Sequence, residues 1–183
     1  MPPFGLLPMP RLLLILLLLL LPPVLWAGGS PPLVATVYVF LADTCPISQN
    51  ATPTLRALHA AYGPRGVRFV GVFPAPQMRP ADVVLFQKQY PLPFLLRLDA
   101  GQQLTRRLGA RITPEVVVLA PDEATVLYQG RIDDAYARLG QRRTVVQHHE
   151  LRDALAAIVS RQPVPVPRTE AVGCFVATGL GSR

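Results

Sequence analysis

The chain has 183 residues, 50% of them hydrophobic and 16% charged, with a formal net charge of +7. That length suits one domain with a sizeable core, and two cysteines are too few for a disulfide scaffold or a cysteine-rich zinc module. The basic residues are arginines apart from Lys88 and are scattered, with short pairs at Arg106-Arg107 and Arg142-Arg143, so a clustered nucleic-acid surface is excluded.

The N-terminus carries one basic residue, Arg11, then an unbroken apolar run from Leu12 to Leu21. Pro22 and Pro23 end the run, and small residues follow around Ala27 to Ser30. This is the pattern of a secretory leader over residues 1–29, with an uncleaved anchor as the alternative. The run is too short to span a bilayer, which takes ~20 apolar residues. Either way the pattern predicts a periplasmic or secreted domain, where disulfides persist.

Val34 to Leu41 is apolar and β-branched and predicts a buried strand. A loop follows from Asp43 to Ser48. Leu55, Leu58, Ala61 and Tyr62 recur at helical spacing, so a helix is expected over 52–62, stopped by Gly63-Pro64. A strand is expected over 67–73, a helix over 81–90 and a short strand over 95–98. Residues 102–108 read as a helix ended by Gly109. Strands at 116–119 and 126–128 are joined by the turn Pro121-Asp122-Glu123 and should pair antiparallel. Glu150 to Val159 reads as a closing amphipathic helix, and Pro163 to Pro167 as an extended tail. Alternating strands and helices predict an α/β domain with a partly parallel sheet.

Cys45 is the candidate nucleophile. It follows a buried strand and precedes a helix, where free N–H groups and the helix dipole stabilise a thiolate. Pro46 suits a first helical turn because it has no N–H to leave unsatisfied. In Cys45-Pro46-Ile47-Ser48, Ser48 stands where a CxxC motif has its second cysteine. Asp43 would raise the thiol pKa if it pointed inward; the plain alternative is a solvated loop acid. Thr113-Pro114 stands directly before a predicted strand. His148-His149-Glu150 lacks any metal-binding spacing and reads as a helix start. Asn50-Ala51-Thr52 fits a glycosylation sequon but, followed by Pro53, reads as helix-capping residues. Arg131-Ile132-Asp133-Asp134 either lines the pocket or is a surface ion-pair segment, and the second is favoured.

The segments Phe40 to Asn50, Gly66 to Val72, Gly109 to Glu115 and Tyr128 to Asp134, with the tail Pro163 to Phe175, resemble a thioredoxin-fold redoxin of the AhpC/TSA class found in secreted bacterial proteins. The resemblance implies a thioredoxin-like fold, with a central mixed sheet flanked by helices and an extended C-terminal tail. It divides the chain into a leader (1–29), a redoxin domain (30–162) and a tail carrying Cys174 (163–183). It implies thiol-based redox chemistry outside the cytoplasm, with Cys45 as nucleophile and Pro114 as a cis proline shaping the groove; Cys174, the only other cysteine, is the candidate resolving thiol. Thr44, Pro46, Ser48 and Thr113 would meet substrate, with Ser48 hydrogen-bonding the thiolate. The expected partner is a thiol or disulfide protein or a peroxide, with no cofactor, no metal and no nucleic acid.

Two departures bear on the reaction. Ser48 replaces the resolving cysteine, so Cys45 cannot release a mixed disulfide locally. Ala42 stands where peroxidases of the class have threonine, three residues before the cysteine, which disfavours peroxide reduction. Cys174, in an expected Gly173-Cys174 turn, either folds back to pair with Cys45 or is a small buried or free thiol. The alternative function is a non-catalytic thioredoxin-like binding module.

Overall fold

The computed structural model describes residues 31–176. Residues 1–30, where the leader is expected, and the last seven residues lie outside them. Strand β1 (Ala35–Phe40) is buried along its whole length. A continuous apolar strand of this kind belongs at the centre of a sheet covered on both faces. It pairs in parallel with β2 (Val67–Phe73) and antiparallel with β5 (Glu115–Leu119). With β3 (Leu95–Leu98) and β6 (Val126–Gly130) the sheet order is β3-β2-β1-β5-β6. The parallel β1-β2-β3 half joins an antiparallel β5-β6 half, which is the expected mixed sheet.

Successive residues of β1 face opposite sides, as the pleat requires. Val37 and Val39 enter a core cluster with Leu55, Leu58 and Tyr62 of α1 (Pro46–Tyr62), Phe86 of α2 (Pro80–Gln89) and Leu151 and Leu155 of α4 (Glu150–Val159). Tyr38 and Phe40 face the other side, with Val70, Val117 and Leu104 of α3 (Gln103–Leu108). Three helices therefore cover one face and one short helix the other. Asp99 caps α3: its carboxylate accepts from the Thr105 N–H at 2.9 Å and the Thr105 hydroxyl at 2.7 Å.

Helix α1 starts at Pro46, six residues before the sequence-based expectation, and Cys45 is its N-cap. Asn50-Ala51-Thr52 is therefore helix interior, not a cap. Pro53 lies inside the helix, where its missing N–H would leave the Gln49 carbonyl without a donor. The Thr52 hydroxyl supplies that donor at 2.8 Å.

Two further pairs escape sequence periodicity. Strands β7 (Tyr136–Arg138) and β8 (Gln141–Arg142) form a small hairpin. Strand β4 (Ile112–Thr113) pairs antiparallel with β9 (Cys174–Phe175). The tail reaches β4 by running along β6: Gln129 N–H donates to the Pro167 carbonyl at 2.9 Å, and Thr169 N–H donates to the Gln129 carbonyl at 3.0 Å. Among the described residues no helix is long and apolar enough to cross a membrane.

The segment Arg131 to Asp134 is not a surface strip. Ile132 and Asp134 are buried, and Arg131 forms an ion pair with Glu150 at the start of α4. Asp134 accepts the Gln147 and His148 N–H groups at 2.8 and 3.0 Å, which draws the approach to α4 onto the core. These donors, His148 first, hold its carboxyl below the usual range. His149 is the N-cap of α4 and Glu150 lies in its first turn.

Candidate redox site

Leaving β1, the chain stays on the sheet through Leu41, whose N–H reaches the Val72 carbonyl at 2.8 Å. The loop to Cys45 is fastened from the first turn of α1. The Ala42 N–H donates to the Ser48 hydroxyl oxygen at 3.2 Å, and the Gln49 side-chain amide donates to the Asp43 carbonyl at 2.6 Å. Ser48 is fully buried, so its expected contact with substrate gives way to loop closure. It serves the sulfur through its backbone N–H, not its hydroxyl. Thr44 and Pro46 are exposed and form the rim on this side.

The Thr113-Pro114 peptide is cis. It turns the Thr113 carbonyl to Cys45, whose thiol donates to it at 3.2 Å. On its other side Thr113 faces Cys174 across the β4-β9 pair, and the Thr113 hydroxyl donates to the Cys174 carbonyl at 3.2 Å. The Val176 N–H closes the same ladder on the Arg111 carbonyl at 2.8 Å. Gly173 makes the approach possible: a Cβ there would stand 2.1 Å from the Thr113 oxygen. Cys174 thus lies in a strand rather than a turn, with its Sγ 2.7 Å from the Sγ of Cys45. Both are free thiols in this structure. Cys45 is 1% exposed beneath β9, while Cys174 is partly exposed.

Burial raises the Cys45 pKa, but hydrogen bonds outweigh it and hold the thiol below its ordinary value. The largest of these comes from the Cys174 thiol, followed by the backbone N–H groups of Ser48, Cys174 and Ile47. The Thr113 carbonyl acts in the opposite sense, because it favours the protonated sulfur. Cys174 is pushed up to about 11, by burial first and then by the hydrogen bond and charge of Cys45. The two shifts run in opposite directions, so Cys45 is the more acidic thiol of the pair.

Beside Pro114 lies a small cavity of about 90 Å³, bordered by Ile47, Asn50, Ile132, Asp133 and Tyr136. The Asn50 amide donates to the Tyr136 hydroxyl at 2.7 Å across its mouth. Burial pushes the Asp133 carboxyl up. In the sequence, pocket lining by Arg131 to Asp134 is the less favoured alternative to a surface ion pair, and no pattern singles out Tyr136. Glu115, directly after Pro114, was also missed. Among the described residues no group of three or more His, Cys, Asp or Glu side chains could hold a metal ion.

The fold is shared with solved structures. The chain aligns with a protein from Geobacillus kaustophilus described as an uncharacterized conserved protein, at 25% identity and a TM-score of 0.70, over 81% of this chain and 79% of that one. A hypothetical protein from Sinorhizobium meliloti is similar at 24% identity and a TM-score of 0.70, over 83% and 82% of the two chains. DsbF of Mycobacterium tuberculosis, in a structure described as holding mixed oxidized and reduced forms, shares the fold at 22% identity and a TM-score of 0.51, over 68% and 80%. No curated protein matches the chain. The AhpC/TSA family model matches residues 33–135, which include Cys45, Thr113 and Pro114 and stop short of Cys174. The chain belongs to the AhpC/TSA family and has its thioredoxin-like redox fold.

Proposed function

We propose that the protein is a thiol–disulfide oxidoreductase working outside the cytoplasm, with Cys45 as nucleophile and Cys174 as its resolving partner. The observation that carries this reading is the 2.7 Å approach of the two sulfurs across the β4-β9 pair.

In the reducing direction, the Cys45 thiolate attacks one sulfur of a substrate disulfide. A Cys45–substrate mixed disulfide forms and one substrate thiolate leaves. Cys174 then loses its proton and attacks the Cys45 sulfur, forming the Cys45–Cys174 disulfide and releasing the second substrate thiol. Two electrons and two protons pass from the cysteine pair to the substrate. The charge and hydrogen-bond acceptor on Cys45 that raise the Cys174 pKa are gone in the mixed disulfide. Cys174 therefore becomes easier to ionise at the moment it must attack. Pro114 and Thr113 orient the groove, and the exposed Thr44 and Pro46 meet the partner.

Disulfide exchange is favoured over peroxide reduction by the surroundings of the sulfur. Among the described residues its partners are the Thr113 carbonyl, the Cys174 thiol and backbone N–H groups, with no arginine. The proposed leader over 1–29 carries the domain to an oxidising compartment, where such a pair cycles.

The test is peptide mapping without reduction after exposure to oxidised glutathione. The expected result is a Cys45–Cys174 linked peptide that dithiothreitol abolishes. Two free thiols after that treatment overturn the reading. The 1% exposure of Cys45 favours a second reading, a non-catalytic binding module. That reading requires Cys45 to stay inert towards a small disulfide in the Cys174→Ser variant as well.

A further inference from the structure

Glu115 is acidic, only 8% exposed, and opens β5 directly after Pro114. It takes part in none of the ion pairs found among the described residues. A carboxyl group this buried needs hydrogen-bond partners in place of the lost water. One oxygen accepts the Arg111 N–H at 2.8 Å and the Ile112 N–H at 3.2 Å. The other accepts the Gln129 side-chain amide at 2.9 Å. The Gln129 side-chain amide oxygen in turn accepts from the Arg168 guanidinium at 2.9 Å. The backbone of Gln129 holds the tail on both sides of Arg168, through Pro167 and Thr169.

Both halves of the cysteine frame therefore run through one side chain. On one branch Glu115 fastens the stretch entering β4, whose Thr113 carbonyl faces Cys45 and whose edge receives β9. On the other it orients Gln129, which anchors the tail six residues before Cys174. Glu115 touches neither sulfur. It borders the cavity of about 590 Å³ behind β9, together with Arg111, Gln129, Arg168 and Gly173.

We infer that Glu115 is a positioning residue that sets the approach of Cys174 to Cys45, acting through Gln129 and Arg168 on the tail and through the Arg111 and Ile112 N–H groups on the cis-proline loop. This rests on the cysteine pairing proposed above. Loosening either branch lowers the effective concentration of one thiol at the other.

The test is the equilibrium between the Cys45–Cys174 disulfide and a glutathione buffer, measured on the full domain. Glu115→Ala is expected to make the disulfide about tenfold easier to reduce. Arg168→Ala, which breaks only the tail branch, should shift it about threefold. Glu115→Gln offers one acceptor oxygen instead of two and should fall between Glu115→Ala and wild type. Asp82→Asn, on α2 outside the site, should leave the equilibrium unchanged.

Thermal melting checks that each variant is folded; if Glu115→Ala is not, Arg168→Ala and Glu115→Gln carry the test. Folded variants within twofold of wild type overturn the proposal. If wild type forms no such disulfide, the pairing fails, and Glu115 is judged by amide hydrogen exchange in the Cys174→Ser variant. There Glu115→Ala must speed exchange at Val176 about tenfold and leave α1 unchanged. Unchanged exchange at Val176 overturns the positioning role on its own account.

Discussion

Cys45 stands where the central strand of the sheet meets a 17-residue helix, whereas Cys174 stands on a two-residue strand at the end of a proline-rich tail. The first sulfur is held by the core. Phe40 and Leu41, which lead into it, and Leu55, on the helix that it caps, are fully buried. The second is held by a few backbone hydrogen bonds, the Thr113 hydroxyl and the links at Gln129. Each such bond is worth about 0.5–1.5 kcal/mol net, set against the entropy of ordering the tail. The body therefore opens only with global unfolding, while β9 can leave β4 by a local opening. The difference suits a resolving arm: the nucleophile stays preorganised and the arm moves aside for a partner.

The comparison can be broken most strongly in the core. Leu55→Ala removes a fully buried side chain from α1. It should lower stability by about 2–5 kcal/mol in a denaturant titration of the reduced protein. Phe175→Ala, beside Cys174 and 80% exposed, should stay within about 0.5 kcal/mol. Equal losses at the two positions would mean that the tail is part of the core.

Gly173→Ala should separate the arm from the body. The added methyl would meet the Thr113 oxygen at 2.1 Å and Ile112 Cγ2 at 2.8 Å, so β9 must shift. The Cys45–Cys174 disulfide should become about tenfold easier to reduce, or about 1.4 kcal/mol, with the melting temperature of the reduced body unchanged. A lowered melting temperature with an unchanged disulfide equilibrium would reverse the assignment.

The two thiols should also differ in their response to pH. Cys174→Ala removes the largest hydrogen bond that lowers the Cys45 pKa. The midpoint of Cys45 alkylation against pH should therefore move upward. In the reduced wild type, Cys174 is pushed from an ordinary value of 9.0 to about 11. Its preference for the neutral form stabilises the fold below pH 9, and that stability is lost as pH rises towards 11. Cys45 has the opposite sign. Its ionised form contributes stability above the ordinary thiol pKa, which is lost as pH falls through the lowered value. Denaturation of wild type and the Cys174→Ala variant between pH 9 and 11 checks this: the loss should be larger in wild type but not confined to it, because Tyr128, pushed up to about 12, costs both proteins stability above its ordinary value of 10.0.

The smallest effect is expected far from both sulfurs. Arg68 and the Thr36 and Tyr38 hydroxyls all donate to Glu123, near the start of β1. The Arg68 side chain is half exposed, so Arg68→Ala should cost less than ~1 kcal/mol. It should leave the disulfide equilibrium untouched.

Much of the body was legible because its signals are local. The apolar run before Asp43, the Val67 to Phe73 strand and the Glu150 to Val159 helix each carry their own period. The start of α1 was misplaced because Pro53 reads as a first-turn proline. Only the Thr52 hydroxyl, by satisfying the Gln49 carbonyl, lets the helix run through it. Arg131 to Asp134 looked like surface because its charges are compensated by groups distant in sequence, Glu150 and the Gln147 and His148 amides.

By itself the sequence determined a mixed α/β redoxin body and a thiol at a strand-to-helix junction. Residue periodicity and a Cys-Pro step act over a few neighbouring positions. Only the tertiary structure decided that Thr113 and Cys174 pair, that Glu115 fastens the loop between them, and that two sulfurs 129 positions apart come into contact. Two-residue strands have no period to read. The entropy of closing a long loop changes so slowly with its length that spacing alone does not select the partner.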